Sequence, residues 1–216
     1  LPSPPPLLSN GQILGNDPKT TLLTQMPWPD ESYLVHWTRR RFGPWPDQTA
    51  DEFIDDLLLS RADRSHSAFA TLTRIVSQRR LIASASGLRG GFCAACFSAS
   101  SLSELPQRRT FRRHRGRWDF ELFGLCIRRD WLISQGARPV TYGEENDWLA
   151  LPESDKPFWQ QQHTQPRGEA KTIDWSTEAE WRVPHDLALS QAPTDAVLLF
   201  GPNTAEAHAL AALSAW

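Results

Sequence analysis

The order in which two hydrophobic patterns appear along the chain constrains its fold more than any other feature. Helical spacing comes first: Thr49 and Glu52 form a capping box ahead of an apolar helix face, and a second helix is predicted over 67–79. One strand is predicted before these helices, at 33–37. The other predicted strands follow them, at 81–85, 92–98, 120–127, 139–142, 178–183 and 196–200. Asn203 and Glu206 make another capping box, which opens a final Ala-rich helix. This order predicts an α+β fold with a largely antiparallel sheet and not a doubly wound fold.

The domain organisation follows from length and composition. A chain of 216 residues buries enough surface for one domain, which we expect over residues 28–216, whereas residues 1–27 hold six prolines with little periodicity and predict a mobile tail or linker. No apolar run approaches the roughly 18 residues of a membrane span, and no signal-peptide pattern is visible. Three cysteines in apolar surroundings fit a reducing compartment. These features predict a cytoplasmic protein without a membrane partner.

Charge is distributed unevenly although the formal net charge is only −2. One short stretch is strongly basic, and its arginines are Arg108, Arg109, Arg112, Arg113, Arg115 and Arg117. Glu104 is the single acid from residue 104 to 117, so six minus one leaves +5, and Phe111 and Trp118 interrupt the arginines. Arginines with stacking rings are typical of surfaces that hold a single strand or a phosphate-rich ligand, so we predict contact with DNA or RNA. The alternatives are pairing with the five acids of residues 144–155 within the same chain, or a solvated helix.

The predicted strand at 178–183 carries the most informative side chains. Alternation places Ala179, Trp181 and Val183 on one face, and Glu178, Glu180 and Arg182 on the other. Fixed carboxylates can hold a ribose and stabilise an oxocarbenium-like transition state. The alternative is a half-buried strand on which Glu and Arg neutralise one another.

Two other segments contain candidate binding residues. His36 ends a predicted strand, where an imidazole can bond a sugar hydroxyl or a phosphate, and Ser98 follows Cys96 and Phe97 after a glycine pair. Cys93 and Cys96 have C-x-x-C spacing, but residues three apart on a strand face opposite sides and no second ligand pair is present, so no metal site is predicted. Rossmann, P-loop and nucleophile-elbow motifs are missing from the sequence.

Taken in order, these pieces resemble a bacterial family of uncharacterised and abortive-infection-type proteins allied to the ADP-ribosyltransferase-like superfamily. The resemblance covers about residues 33–190 and is carried by the order of several weak motifs. These are His36-x-Thr38, Leu72 to Ile75 leading to Leu81 to Ser84, Cys96-Phe97-Ser98, Phe123 to Ile127, Pro139 to Tyr142, and Lys171 leading to Trp175-x-x-Glu178-x-Glu180-Trp181-Arg182. The His-x-Thr strand is similar to that of DarT-like toxins, which ADP-ribosylate DNA bases.

The resemblance implies a split, mostly antiparallel sheet with flanking helices and a cleft that binds NAD. Carried over by position, His36 would contact the adenosine-side ribose and take part in catalysis, Ser98 would support the nicotinamide end, and Glu180 would stabilise the ribosyl cation. The remaining cofactor-binding residues implied are Thr38, Tyr142, Glu178 and Arg182. We expect His36 and Thr38 to face the ligand while Trp37 packs into the core.

The functional hypothesis is therefore an NAD-dependent ADP-ribosyltransferase-like toxin or phage-defence effector that modifies a nucleic acid or a protein. A cognate antitoxin or another defence protein is the partner expected for such an effector. The alternative hypothesis is a non-catalytic, antitoxin-like regulatory module that binds a ligand or a nucleic acid.

Overall fold

The computed structural model describes residues 31–59, 66–100, 111–112, 117–118, 121–162, 179–193 and 195–213. Its helices are α1 (Ala50–Leu59), α2 (Ala68–Gln78), α3 (Arg129–Ser134), α4 (Glu145–Ala150) and α5 (Thr204–Leu213). The first strands are β1 (Tyr33–Trp37), β2 (Arg80–Leu81), β3 (Ala95–Ser98), β4 (Phe111–Arg112), β5 (Arg117–Trp118) and β6 (Gly124–Arg128). The later strands are β7 (Arg138–Pro139), β8 (Thr141–Gly143), β9 (Trp159–Gln161), β10 (Glu180–Val183), β11 (Leu187–Ala188) and β12 (Val197–Phe200).

The main sheet has six strands, and the number of paired residues differs from one pair of neighbouring strands to the next. Its six strands lie in the order β12-β6-β1-β3-β10-β7, with each neighbouring pair antiparallel. Strand β1 pairs with β6 at five positions and β3 pairs with β10 at four, whereas β1 and β3 share the single pair Val35 and Ser98. The register of the sheet therefore gives β1 and β3 fewer paired residues than any other two neighbouring strands.

One face of the sheet, the helix-covered face, forms the main hydrophobic core. Buried side chains from the strands meet buried side chains from the helices there, among them Leu34, Phe97, Leu125, Ile127 and Val183 from the sheet and Leu72, Val76, Leu132 and Leu210 from α2, α3 and α5. Helix α2 begins where Ser67 Oγ accepts a hydrogen bond from the Ala70 N–H and ends at Arg79, which adopts a left-handed conformation. Its buried residues recur at helical spacing, so this helix docks on the sheet through one stripe.

The other face of the sheet, the polar face, is covered by a small hydrophobic cluster at one end and by a crossing segment of the chain at the other. Val35 and Cys126 are buried there against the half-buried rings of Tyr33, Trp37 and Phe200. At the β10 end, the segment formed by a 3₁₀ turn (Lys156–Phe158) and β9 lies against the sheet, and β9 pairs with β8 in parallel.

The prediction of an α+β fold with a mostly antiparallel sheet is confirmed. Strand β1 and the predicted helices at α1, α2 and α5 occur where expected. The strand predicted at 81–85 is replaced by the two-residue strand β2, which ends at Leu81. Beyond it, Ser84 forms only an isolated β-bridge with Ala94. The predicted tail, residues 1–27, lies outside the described residues. None of the helices in the described part of the chain is long and apolar enough to cross a lipid bilayer.

Gly124 offers a test of how β1, β6 and β12 fit together. A Cβ atom at this position would collide with the backbone oxygen of His36 and lie 2.6 Å from Cζ of Phe200, so we expect Gly124→Ala to lower the free energy of unfolding by about 2–3 kcal/mol. Gly43→Ala is the matched control, because a Cβ there meets nothing within 4 Å, and its effect should stay within about 0.5 kcal/mol. Urea unfolding of both variants checks this, and equal stabilities would contradict the packing described.

Candidate functional site

Arg182 of β10 lies at the centre of a group of polar side chains on the polar face. This group, the polar cluster, consists of Arg182, Glu180, Cys96, Ser98 and Gln160. Its side chain is almost fully buried, with the residue only 2% exposed. Nε donates to Glu180 Oε1 at 2.8 Å, Nη1 donates to the carbonyls of Pro157 at 3.1 Å and Trp159 at 2.9 Å, and Nη2 donates to Gln160 Oε1 at 2.7 Å and Glu180 Oε2 at 3.1 Å. A guanidinium has five N–H groups, so every donor of Arg182 is already used. Arg182 thus has no donor left for a cofactor phosphate in this arrangement.

Glu180 receives a two-pronged ion pair from Arg182, which fixes the plane of its carboxylate. Its side chain retains some exposure to solvent, while Arg182 beneath it has almost none. Cys96, which pairs with Arg182 across β3 and β10, lies in the same cluster. Burial, and secondarily the charge of Glu180, raises the pKa of the Cys96 thiol to about 12, so this thiol is protonated at neutral pH.

Ser98 is the residue directly opposite Glu180 in the sheet. The two residues form a cross-strand pair, and Val35 of β1 pairs with Ser98 on its other side. Residues paired in this way share a face, so Ser98 and Glu180 lie side by side on the polar face. The hydroxyl of Ser98 accepts a hydrogen bond from the N–H of Ser100 at 3.1 Å.

His36 lies on the opposite side of the sheet from Glu180. It pairs with Leu125, and its ring packs 5.7 Å from the ring of Phe97, both on the helix-covered face. Burial, reinforced by the charge of Arg39, lowers the pKa of His36 from 6.5 to about 4, although its bond to the backbone of Cys96 acts in the other direction. Because a carbonyl cannot donate, the contact of 2.9 Å means that Nδ1 donates to the Cys96 oxygen, which leaves Nε2 of the neutral ring as an acceptor.

Thr38 is buried just beyond the end of β1. It is 1% exposed, and its hydroxyl lies 2.9 Å from the carbonyl oxygen of Ala68 and 3.1 Å from that of Phe123. The start of α2 packs over this end of β1, so the Thr38 hydroxyl is enclosed by backbone oxygens. Trp37 lies on the polar face, where its ring meets that of Phe200 edge-on at 4.8 Å and is half-buried.

Tyr142 and Glu178 complete the set of predicted cofactor-binding residues. Tyr142 lies on β8 and pairs with Gln160 of β9, the residue whose side chain binds Arg182. Tyr142 thus lies on the strand next to Gln160. Glu178 lies outside the described residues.

The arginine-rich stretch is described only in part. Arg108, Arg109, Arg113 and Arg115 lie outside the described residues, whereas Arg112 and Arg117 form a pair in the two-stranded hairpin β4–β5. The other pair of this hairpin is Phe111 with Trp118, whose rings meet edge-on at 5.4 Å and are 46% and 40% exposed. The hairpin therefore presents an aromatic pair within the most basic part of the chain.

The polar cluster contains three of the predicted site residues and two residues that were not predicted, Cys96 and Gln160. Ser98, Glu180 and Arg182 come together on the polar face, and the predicted alternation along β10 is confirmed by the burial of Val183 on the other face. Cys96 could have been found from the sequence, because it is two residues from Ser98 on the same strand. Gln160 could not, since no pattern relates β9 to β10.

A cleft of about 440 Å³ opens beside this cluster. Its lining residues are Gly87, Leu88, Arg89, Glu145, Trp159, Gln160 and Gln161. Gln160 lines the cleft, and its side chain also accepts a hydrogen bond from Arg182. The cleft and the cluster therefore share this residue. A volume of this order falls within the range of about 300–1,000 Å³ that is usual for small-molecule sites. No cluster of three or more metal-binding side chains occurs within the described ranges.

Comparison of the chain with protein-family models, with curated proteins and with solved structures finds no match in any of the three.

The ion pair between Arg182 and Glu180 predicts non-additive mutational effects. Arg182→Met should lower the free energy of unfolding by about 3–5 kcal/mol, because Glu180 and two carbonyls lose their donors. Adding Glu180→Met should recover part of that loss, since no carboxylate then remains in the cluster without its counter-charge. Arg138→Met is the control: this exposed arginine pairs with Asp155 at 2.9 Å and should cost less than about 1 kcal/mol. Strictly additive losses in the double variant would contradict the prediction.

The lowered pKa of His36 predicts acid sensitivity with a defined sign. Between pH 6.5 and 4 the unfolded chain binds a proton at this residue that the folded chain does not, so stability is full above pH 6.5 and falls as the pH drops towards 4, by at most about 3 kcal/mol. His36→Asn keeps a donor near the position of Nδ1 and removes the titration. Urea unfolding should show that the variant loses less stability than the wild type between pH 6.5 and 4.5, with no such difference between pH 7 and 8. Parallel losses in the two proteins would remove His36 as the cause.

Proposed function

We propose that this protein is an ADP-ribosyltransferase-like toxin or defence effector that binds NAD and acts in the cytoplasm. The observation that carries the proposal is the adjacency of β1, β3 and β10. These strands bear the His36, Ser98 and Glu180 motifs of the resemblance, and they are neighbours in the sheet although up to about 150 residues separate them in sequence. The pairing of β1 with β3 at a single position is compatible with the split sheet that the resemblance implies.

Glu180 is the residue proposed for the chemical step. In transfer of ADP-ribose the glycosidic bond to nicotinamide breaks, the electron pair leaves with nicotinamide, and the acceptor then bonds to the anomeric carbon of the ribosyl cation. A carboxylate already oriented by Arg182 can stabilise that cation without reorganising during the reaction. Ser98 lies beside Glu180 and would contact the same end of the dinucleotide.

The cleft beside Gln160 is the proposed approach for NAD. Its lining residues include Trp159, Gln160 and Gln161, which are residue types that suit a ligand with ring and hydroxyl groups. His36 would act as a neutral hydrogen-bond acceptor at the junction of β1 and β3, not as a general acid, because its pKa is about 4.

The acceptor in this proposal is a nucleic acid. The exposed rings of Phe111 and Trp118 can stack on bases, and the arginines close to them in sequence carry positive charge for phosphates. As an effector, the protein would require a cognate antitoxin or a defence partner to restrain it.

A specific observation favours a second function, that of a non-catalytic regulatory module. Glu180 and Arg182 neutralise one another, and His36 lies on the opposite face of the sheet from Glu180. Such a protein would bind NAD or another ligand in the cleft and leave it intact.

Glu180→Gln separates the two functions, because the side chain keeps its shape but loses its charge. We expect release of nicotinamide from NAD to fall by at least about 100-fold. Glu153→Gln, at an exposed surface carboxylate, is the control and should retain wild-type turnover. Assays with labelled NAD and with DNA, RNA or lysate protein identify the acceptor.

Circular dichroism and a thermal shift with NAD establish that the Glu180→Gln variant is folded and binds the dinucleotide. Wild-type protein that binds NAD without consuming it would favour the regulatory module. Wild-type protein that neither binds nor consumes NAD would refute the first function.

A further inference from the structure

The cleft beside the polar cluster has one positively charged side chain among its lining residues, all of which the structure describes. That side chain is Arg89, and Glu145 is the one acid in the lining. Arg182 cannot supply a second cation to a ligand there, because all of its donors are already bound. A ligand that carries negative charge into this cleft must therefore be met by Arg89.

Arg89 and Glu145 form a two-pronged ion pair at the edge of the cleft. Nη1 of Arg89 donates to Oε2 of Glu145, and Nη2 donates to Oε1, so the planar guanidinium faces two oxygens of one anion. The two side chains are 36% and 53% exposed. An ion pair so open to solvent is weak, because water and salt compete for both groups. Another anion can therefore take the place of Glu145.

Aromatic rings also hold the guanidinium of Arg89. It lies 5.0 Å from the ring centre of Trp148 and 6.0 Å from that of Trp159. Both tryptophans are buried, and their rings pack against each other at 5.3 Å. A guanidinium that stacks on fixed rings does not need its carboxylate partner to keep its position. Arg89 is thus a positioned cation whose hydrogen-bonding partner can be exchanged.

The fork of Arg89 suits an anion that offers two oxygens on one atom. Carboxylates and phosphates both have that shape, and a phosphate offers more charge and more acceptor oxygens than the carboxylate of Glu145. A cleft of about 440 Å³ also has room for the rest of a larger molecule beside such a group. NAD, the ligand of the proposed function, carries a pyrophosphate between its two nucleosides.

We propose that Arg89 binds the pyrophosphate of the dinucleotide, and that Glu145 is an internal competitor which occupies Arg89 until the phosphate displaces it. This inference rests on the proposed function, because it assigns the phosphate contact in the cleft proposed for NAD. The exchange changes no covalent bond: the phosphate oxygens replace the carboxylate at the two Nη groups, and Glu145 returns to solvent. Glu145 thereby contributes to specificity, since a neutral ligand cannot displace it.

An internal competitor predicts that the two members of the ion pair have opposite effects on binding. Arg89→Met should weaken the binding of ADP, which carries the two phosphates without the nicotinamide riboside, by at least about tenfold. Glu145→Gln should strengthen it by about three- to fivefold, because ADP then no longer has to break an ion pair. Isothermal titration calorimetry at fixed ionic strength measures both affinities. An ion pair that only shapes the cleft would weaken binding in both variants.

The double variant with Arg89→Met and Glu145→Gln establishes whether Glu145 acts through Arg89. It should bind ADP as weakly as Arg89→Met alone, within about twofold, because Glu145 then has no arginine to occupy. A general repulsion between Glu145 and the ligand predicts instead that Glu145→Gln improves binding equally in both backgrounds, and that result would contradict the competitor.

Arg74 and Asp47 provide a matched control away from the cleft. Nη2 of Arg74 donates to both carboxylate oxygens of Asp47, and the guanidinium lies 5.1 Å from the ring centre of Trp45, but none of these residues lines the cleft. Arg74→Met and Asp47→Asn should therefore leave the affinity for ADP unchanged. Circular dichroism confirms the fold of each variant, and adenosine, which has no phosphate, should show no dependence on Arg89 or Glu145.

The outcomes separate this inference from the proposed function, since ADP has no nicotinamide to release. Opposite changes in ADP affinity support the phosphate contact even if the protein does not consume NAD. Wild-type protein that binds neither ADP nor inorganic pyrophosphate would overturn the inference, as would equal affinity, or weaker binding, in both single variants. NAD turnover that is the same in the wild type and in these variants would retain the proposed function and remove Arg89 from it.

Discussion

Arg182 ties the polar face of the sheet to the segment that crosses it, and the arrangement of the candidate site depends on that attachment. Three of its five hydrogen bonds join β10 to the carbonyls of Pro157 and Trp159 and to the side chain of Gln160. A guanidinium can be buried this deeply only when every N–H finds an acceptor and a counter-charge is near, and Glu180 supplies the charge. The same contacts that satisfy the arginine therefore orient the carboxylate and form one wall of the cleft beside Gln160.

Strand register determines which predicted residues could act together. Because alternate residues face opposite sides of a sheet, the pairing of Ser98 with Glu180 puts both on the polar face, and the pairing of His36 with Leu125 puts His36 on the other. A shift of one residue in β1 would exchange His36 with Val35 and expel Leu34 from the core. The buried positions of Leu34 and Thr38 hold the register, so the location of His36 is a consequence of core packing.

The parts of this structure that were predictable from the sequence depend on local rules. Capping at Thr49 and at Asn203 predicted helix starts, and alternation at 180–183 predicted the faces of β10. The burial of Thr38 follows from alternation as well, because Leu34, on the same face of β1, is part of the main core. The contacts of Arg182 with Pro157, Trp159 and Gln160 were beyond prediction, since they span more than 20 residues and involve backbone oxygens with no sequence signature.

The neutral total charge of the Arg182–Glu180 pair limits how it can serve a cationic transition state. At a distance the two charges cancel to a dipole, so the field that favours a cation is confined to the immediate surroundings of the carboxylate. Arg182 occupies one edge of that carboxylate, and the pair with Ser98 lies across the strand. A ribosyl cation stabilised by Glu180 must consequently touch the carboxylate from its remaining exposed side, at hydrogen-bonding or ion-pair distance. The catalytic proposal thus requires direct contact between the Glu180 carboxylate and the substrate. The regulatory alternative does not require that contact.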